Sequence, residues 1–389
     1  MYNYTKLEEL KILFDRTRKA FDSEQNRINE MKWKDNKGKK SPDGAFNLFL
    51  GASYCSRALD VDFRDYYFDP FLYLKANLQL NLLKFDKFKD DTPLTKTIPW
   101  HTGVTFESSL FGVDVKYKND KEAWESHDNY LITDYDDLSS LAYPDFYECK
   151  AMRHIHDMYV KLKKITFLAA PDFEITFPRW RRSPFGNACI LRGMEQLCMD
   201  FYDNPEFVHD LMSFVTHSRI QWEESCNGFL NESSSYFLLN DEVNIPTIGP
   251  SHYLEFILPY EKQLLNYYGI LDYYHSCGDI TPLLPYIKTM SPDMIQISPW
   301  TDLETAIQTF SGTKTVLDIW SHVYGDVMNA SEDHILKVMK HITAMCRNSD
   351  IKGFKLMSGN IQNFWKNPEA DDIKILQWVN ACRKMSESC

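Results

Sequence analysis

Leu271-Asp272-Tyr273-Tyr274-His275-Ser276-Cys277-Gly278 opens as a short apolar run and closes on a turn. The run is too short for a helix and rich in aromatics, so Leu271–Tyr274 reads as a strand. The same unit recurs at Tyr236–Leu239, Met294–Ile297, Thr315–Ile319 and Gly353–Met357. Amphipathic helices are predicted between and after these strands, at Ser251–Tyr268, Pro282–Thr289, Leu303–Phe310, Ser331–Cys346 and Asp371–Lys384. Strand and helix thus alternate about every 30 to 40 residues, the rhythm of a parallel sheet with crossover helices.

Towards the N-terminus the pattern continues less regularly. Phe46–Leu50, Ile165–Ala169 and Ala188–Leu191 are further predicted strands, and Gly193–Phe201 and Pro205–Asn227 further helices. The first 35 residues read as helix, with Leu7, Leu10, Phe14, Phe21 and Ile28 on a rough stripe. Lys34–Gly44 reads as a polar loop, and Phe85–Tyr143 as an excursion that caps the main body. The expected fold class is α/β, a single (β/α)8 TIM barrel with an N-terminal helical extension. Residues 1–44 form the helix and polar loop, and 45–389 the barrel. An open doubly wound sheet is the rival, but neither Gly-x-Gly-x-x-Gly nor a Walker-type loop is present.

Composition narrows the function. The 389 residues are 44% hydrophobic and 25% charged, as expected of a globular chain. A net charge of −12 disfavours nucleic acid and anionic membrane as partners. No apolar stretch approaches the ~20 residues that span a bilayer, and no signal region precedes the first helix, so a cytoplasmic enzyme is expected. The nine cysteines are irregularly spaced and form no Cys-x-x-Cys, which argues against a disulfide framework. The 14% aromatic content suits either an aromatic-lined pocket or ordinary core packing.

Residues i and i+2 of a strand point to the same side, so His275 and Cys277 converge as two first ligands of a zinc-type ion must; the plainer reading is a structural pair with His275 simply hydrogen-bonded. In a barrel, the residues just past the strand ends share one rim, where barrel enzymes keep their chemistry. Asn240-Asp241-Glu242 follows one strand, Asp318 and His322 close another, and Ser358-Gly359-Asn360 follows the last. Asp241, Glu242 and Asp318 are therefore candidate catalytic carboxylates; Asp318 lies in an apolar run where an ionised carboxylate is costly unless paired. Asn360, His322 and His101 are candidates for substrate contact. Each also has a plainer reading: Asp241 or Glu242 as a cap or surface charge, His322 or His101 as a loop histidine.

The segment Gly249-Pro250-Ser251-His252-Tyr253-Leu254-Glu255-Phe256-Ile257-Leu258-Pro259-Tyr260, followed by His275-Ser276-Cys277-Gly278-Asp279, resembles the uroporphyrinogen decarboxylase superfamily, in particular its corrinoid-linked methyltransferase branch. Leu191-Arg192-Gly193-Met194-Glu195 and Tyr202-Asp203-Asn204-Pro205-Glu206 are also similar to it. The resemblance implies a (β/α)8 barrel and a zinc ion held by His-x-Cys and a second cysteine on the last strand. Here that cysteine's place is taken by Asn360, so a carboxylate among Asp241, Glu242 and Asp318 is the expected third ligand. Residues 48–57 lack the paired basic residues with which the decarboxylases bind a porphyrinogen. The function implied is zinc-dependent methyl transfer between a small substrate, for example a methyl ether, and a corrinoid protein, with a homodimer among the expected assemblies. Two rivals stay open: a metal-free decarboxylase- or lyase-like barrel acting on a small carboxylate, and a non-catalytic paralogue.

Overall fold

The computed structural model describes residues 4–35, 44–126 and 130–387. Eight short strands stand in cyclic order: β1 (Ala45–Leu50), β2 (Thr97–Pro99), β3 (Glu174–Thr176), β4 (Tyr236–Leu239), β5 (Leu271–His275), β6 (Met294–Ile297), β7 (Val316–Trp320) and β8 (Phe354–Ile361). Six form one parallel sheet in the order β1-β8-β7-β6-β5-β4, and β2 pairs with β3, also in parallel. The chain is the expected (β/α)8 barrel.

The two seams between these ladders are closed by polar groups rather than by regular strand pairing. Between β1 and β2, Leu48 N donates to Asp90 Oδ2 at 2.9 Å and Phe46 N to Asp91 Oδ2 at 3.2 Å. Between β3 and β4, Leu239 N donates to the Arg181 carbonyl at 2.9 Å and Ser183 N to the Leu239 carbonyl at 2.8 Å. Arg219, fully buried, closes the rest of that seam by donating to the carbonyls of Phe237 and Arg182. Backbone acceptors that no neighbouring strand reaches are thereby satisfied, as buried carbonyls must be.

The N-terminal extension is two helices, not one. Ser23 ends the first reading frame by capping the second helix, its Oγ accepting from Asn26 N at 3.2 Å. In α1 (Tyr4–Phe21) the buried stripe is Leu7, Leu10 and Phe14, and Phe14 packs on Phe173 just before β3. From α2 (Glu24–Asp35), Asn26 exchanges two hydrogen bonds with Leu94, and Trp33 Nε1 donates to the Asp91 carbonyl. Both helices thus cover segments leading into the strands and close the N-terminal end of the barrel. The predicted loop Lys34–Gly44 lies for the most part outside the described residues.

Two predicted strands are helix instead. Ile165–Ala169 is the last turn of the helix Lys150–Ala169, and Ala188–Leu191 lies inside Pro184–Arg192, all nine of whose residues are buried. A helix buried on every side shows no period, so its apolar run is indistinguishable from a strand. The strands actually used, β2 and β3, are three residues each, too short to carry alternation. β2 lies inside the supposed excursion Phe85–Tyr143; the remainder includes a hairpin, Val115–Lys118 with Lys121–Glu125, whose Glu125 reaches the rim at Arg182. Among the described residues no helix is long and apolar enough to cross a membrane.

Candidate metal centre at the barrel mouth

The site is built where β4 and β5 end side by side. Leu239 is in register with His275, and Asn240 N donates to the His275 carbonyl at 2.9 Å. The loops beyond stay paired: Ile245 N donates to the Asp279 carbonyl at 2.8 Å and Ser276 Oγ to the Val243 carbonyl at 3.1 Å. A Cβ on Gly278 would lie 2.4 Å from Asn244 Cβ, so only glycine lets the two loops approach this closely.

Three side chains meet on this frame. His275 Nε2 lies 2.8 Å from Asp241 Oδ1 and 3.3 Å from Cys277 Sγ, and the three ligand atoms all fall within 4.8 Å of one another. Burial would push the Asp241 carboxyl up, but the hydrogen bond and charge of His275, with the Cys277 thiol and Arg182, hold it down at about 2. The carboxylate is therefore ionised at neutral pH. The Cys277 thiol is pushed well up, first by crowding from the surrounding rim and then by the Asp241 charge, so without a cation it keeps its proton. Asp241 leaves 41% of its side chain exposed, and Cys277 is exposed too, so the cluster opens towards solvent.

The donor set fits zinc. One imidazole nitrogen, one sulfur and one carboxylate oxygen on an open rim are the three-ligand arrangement of a catalytic ion, with a fourth position free for substrate. A carboxylate in place of a second thiolate donates less charge and leaves the ion a stronger Lewis acid.

The other expected residues do not enter this cluster. Glu242 turns away to Arg182, Oε1 accepting from Nη1 at 2.6 Å, while its Oε2 is buried without a partner. Asp318 is buried below the rim, where Oδ2 accepts from Tyr273 Oη at 2.5 Å and Trp320 Nε1 at 3.1 Å. Its burial pushes its pKa up against those two hydrogen bonds. Asn360 Oδ1 accepts from Gln362 Nε2 beside Gly51. His322 is a helix cap, Nδ1 accepting from Gly325 N at 2.8 Å. His101 keeps a solvent-exposed edge beside Arg181, and crowding by the surrounding barrel residues, with that charge, lowers its pKa to about 4.

Rings wall the space around His275. Trp320 stands edge-on to it at 5.8 Å, Tyr273 stacks beside it at 6.5 Å, Phe237 stacks on Tyr273 at 4.7 Å, and Phe49 meets Trp320 at 5.8 Å. Sequence reasoning missed these as a group, and it missed Gln296, Glu261 and Arg181. Gln296, 1% exposed in the apolar strand Met294–Ile297, leaves its Oε1 without a partner and acts against the rise of the Cys277 thiol's pKa. The signal that pointed to Asp318, a polar residue inside an apolar run, applied equally to Gln296.

Residues 49–354 match the family model described as uroporphyrinogen decarboxylase (URO-D). The chain belongs to the uroporphyrinogen decarboxylase family. Among solved structures it is similar to a methyltransferase from Methanosarcina mazei, at 12% identity, a TM-score of 0.61, and coverage of 88% of this chain and 94% of that one. That likeness shows a shared fold. No curated protein matches the sequence. In this member, Asp241, His275 and Cys277 come together at the strand ends as a group that could hold a metal ion.

Proposed function

We propose that the protein is a zinc-dependent methyltransferase that moves a methyl group between a small substrate and a corrinoid carried by a partner protein. The observation that carries this reading is the convergence of Asp241, His275 and Cys277 on one point of the barrel's C-terminal rim. When bound, zinc supplies Lewis acidity towards a thiol or towards the heteroatom that bears the methyl group. Asp241, ionised beside His275, supplies the third ligand oxygen and the negative charge that a cation needs. The ring wall of Phe237, Tyr273 and Trp320 suits a flat apolar substrate body, which favours an aryl methyl ether over a polar one. The corrinoid would do the methyl chemistry, and this chain would position the two reactants.

The test combines metal analysis with a spectrum. Purified protein should hold one zinc, lost in His275→Ala and Cys277→Ser. A reduced corrinoid protein should change from its cobalt(I) to its methyl-cobalt(III) spectrum when the zinc-loaded enzyme and a methoxylated aromatic are added. Stoichiometric zinc with no methyl exchange in either direction would leave a metal site and refute the methyl transfer.

A further inference from the structure

Arg181 and Arg182 are adjacent in sequence and opposite in circumstance. Arg182 is saturated: Nη1 donates to Glu242 at 2.6 Å, and Nη2 to the Val104 carbonyl at 3.2 Å and to Glu125 at 3.4 Å. The Arg181 guanidinium makes no hydrogen bond or ion pair with any of the described residues. Glu107, the nearest carboxylate acting on it, is occupied by the backbone amides of Arg181 and Arg182 at 2.5 and 2.9 Å.

Arg181 sits beside the strand that leads into the site. Its backbone is bonded to Leu239, the last residue of β4, and its Cζ lies 5.1 Å over the face of Phe237. Phe237 stacks on Tyr273, and Tyr273 on His275, so the arginine and the metal cluster are joined by two stacked rings on adjacent strands. The side chain is exposed to solvent, yet crowding by the barrel lowers its pKa, a sign that the cation is poorly compensated there. His101, beside it, is neutral at pH 7 and offers no counter-charge. A guanidinium kept accessible, stacked and without a partner is the arrangement that captures a planar anion.

We infer that Arg181 binds the single carboxylate or sulfonate of a small substrate whose flat body lies along Phe237 and Tyr273 towards the Asp241–His275–Cys277 cluster. One free arginine matches one anionic group. A poly-acid would need further cations, and Arg182 is already taken. That the far end of this ligand is the methylated one rests on the function proposed above; the anion recognition does not.

Isothermal titration with 4-methoxybenzoate and its neutral amide, 4-methoxybenzamide, tests the inference. The acid should bind the wild-type protein at least about tenfold more tightly than the amide. Arg181→Gln should erase that preference while keeping the folded circular-dichroism spectrum, since among the described residues only the stacking on Phe237 is lost, and Arg181→Lys should keep part of it. The same preference should persist in the double variant His275→Ala, Cys277→Ser, which separates anion capture at Arg181 from attraction to a metal ion. A failed metal assignment therefore leaves this readout standing. Equal binding of acid and amide, no binding of the acid, an undiminished preference in Arg181→Gln, or its disappearance in the double variant would each overturn the inference.

Discussion

The backbone N–H of Asn240 donates to the carbonyl of His275 at 2.9 Å, and this bond is the last that joins β4 to β5 before the two loops enter the site. Asp241 follows directly, which sets its carboxylate across from the imidazole. The Asn240 side chain is itself anchored, its amide bonded to buried Glu261, which also accepts from Tyr253 Oη at 2.6 Å. Asn240→Ala should therefore act on the metal site from behind it. We expect about 1–3 kcal/mol of lost stability in urea denaturation and roughly tenfold weaker zinc in a chelator competition. Wild-type zinc affinity in this variant would show that Asn240 does not orient the cluster.

Glu261 makes stability depend on pH. Its side chain is fully buried, and burial raises its pKa from 4.5 to about 7 against the hydrogen bonds of Tyr253 and Asn240. Below the unfolded value both states hold the proton and nothing is lost. As pH rises through the interval up to about 7 the unfolded chain ionises first, so stability falls; above 7 the loss stays constant. The full loss is about 3 kcal/mol. Urea denaturation of Glu261→Gln and wild type across about pH 4 to pH 8 should show the variant gaining on the wild type by that order; parallel curves would contradict it.

The strands β4 to β8 were legible because each is an apolar run followed by polar residues, and the rim followed from their ends. His275 and Cys277 were legible for the same reason, since strand geometry alone puts i and i+2 on one side. The choice among Asp241, Glu242 and Asp318 was not legible. It depends on Arg182 drawing Glu242 away and on Tyr273 and Trp320 holding Asp318 below the rim, and those partners lie between 2 and 60 positions away in the chain. β2 and β3 escaped notice because three residues carry no pattern, and their seams are closed by Asp90, Asp91 and Arg219. Arg181 escaped notice because its sequence neighbours, Arg179 and Arg182, are engaged by carboxylates. Only the structure separates the idle arginine from the busy ones.

Glu242 and Asp241, adjacent in sequence, should separate cleanly by mutation. Glu242→Gln removes the closest anion from buried Arg182 but leaves Glu125 and the Val104 carbonyl. It should cost about 2 kcal/mol of stability and leave zinc content unchanged. Asp241→Asn should do the reverse, keeping stability within about 1 kcal/mol while reducing zinc. Equal zinc loss in both variants would mean that the two carboxylates share the ion.

His322, a substrate-contact candidate in the sequence, instead caps the turn Val323–Met328. His322→Ala should lower stability by about 1 kcal/mol in thermal denaturation, with zinc content and the acid-over-amide binding preference intact. A changed ligand preference would return His322 to the site.

The most direct test of the central claim is zinc K-edge X-ray absorption on the purified protein. The expected result is one zinc per chain with a single sulfur neighbour at about 2.3 Å and nitrogen or oxygen in the remaining positions at about 2.0–2.2 Å. Cys277→Ser should lose the zinc signal itself. Two sulfur neighbours, or no bound zinc, would contradict the Asp241–His275–Cys277 assignment.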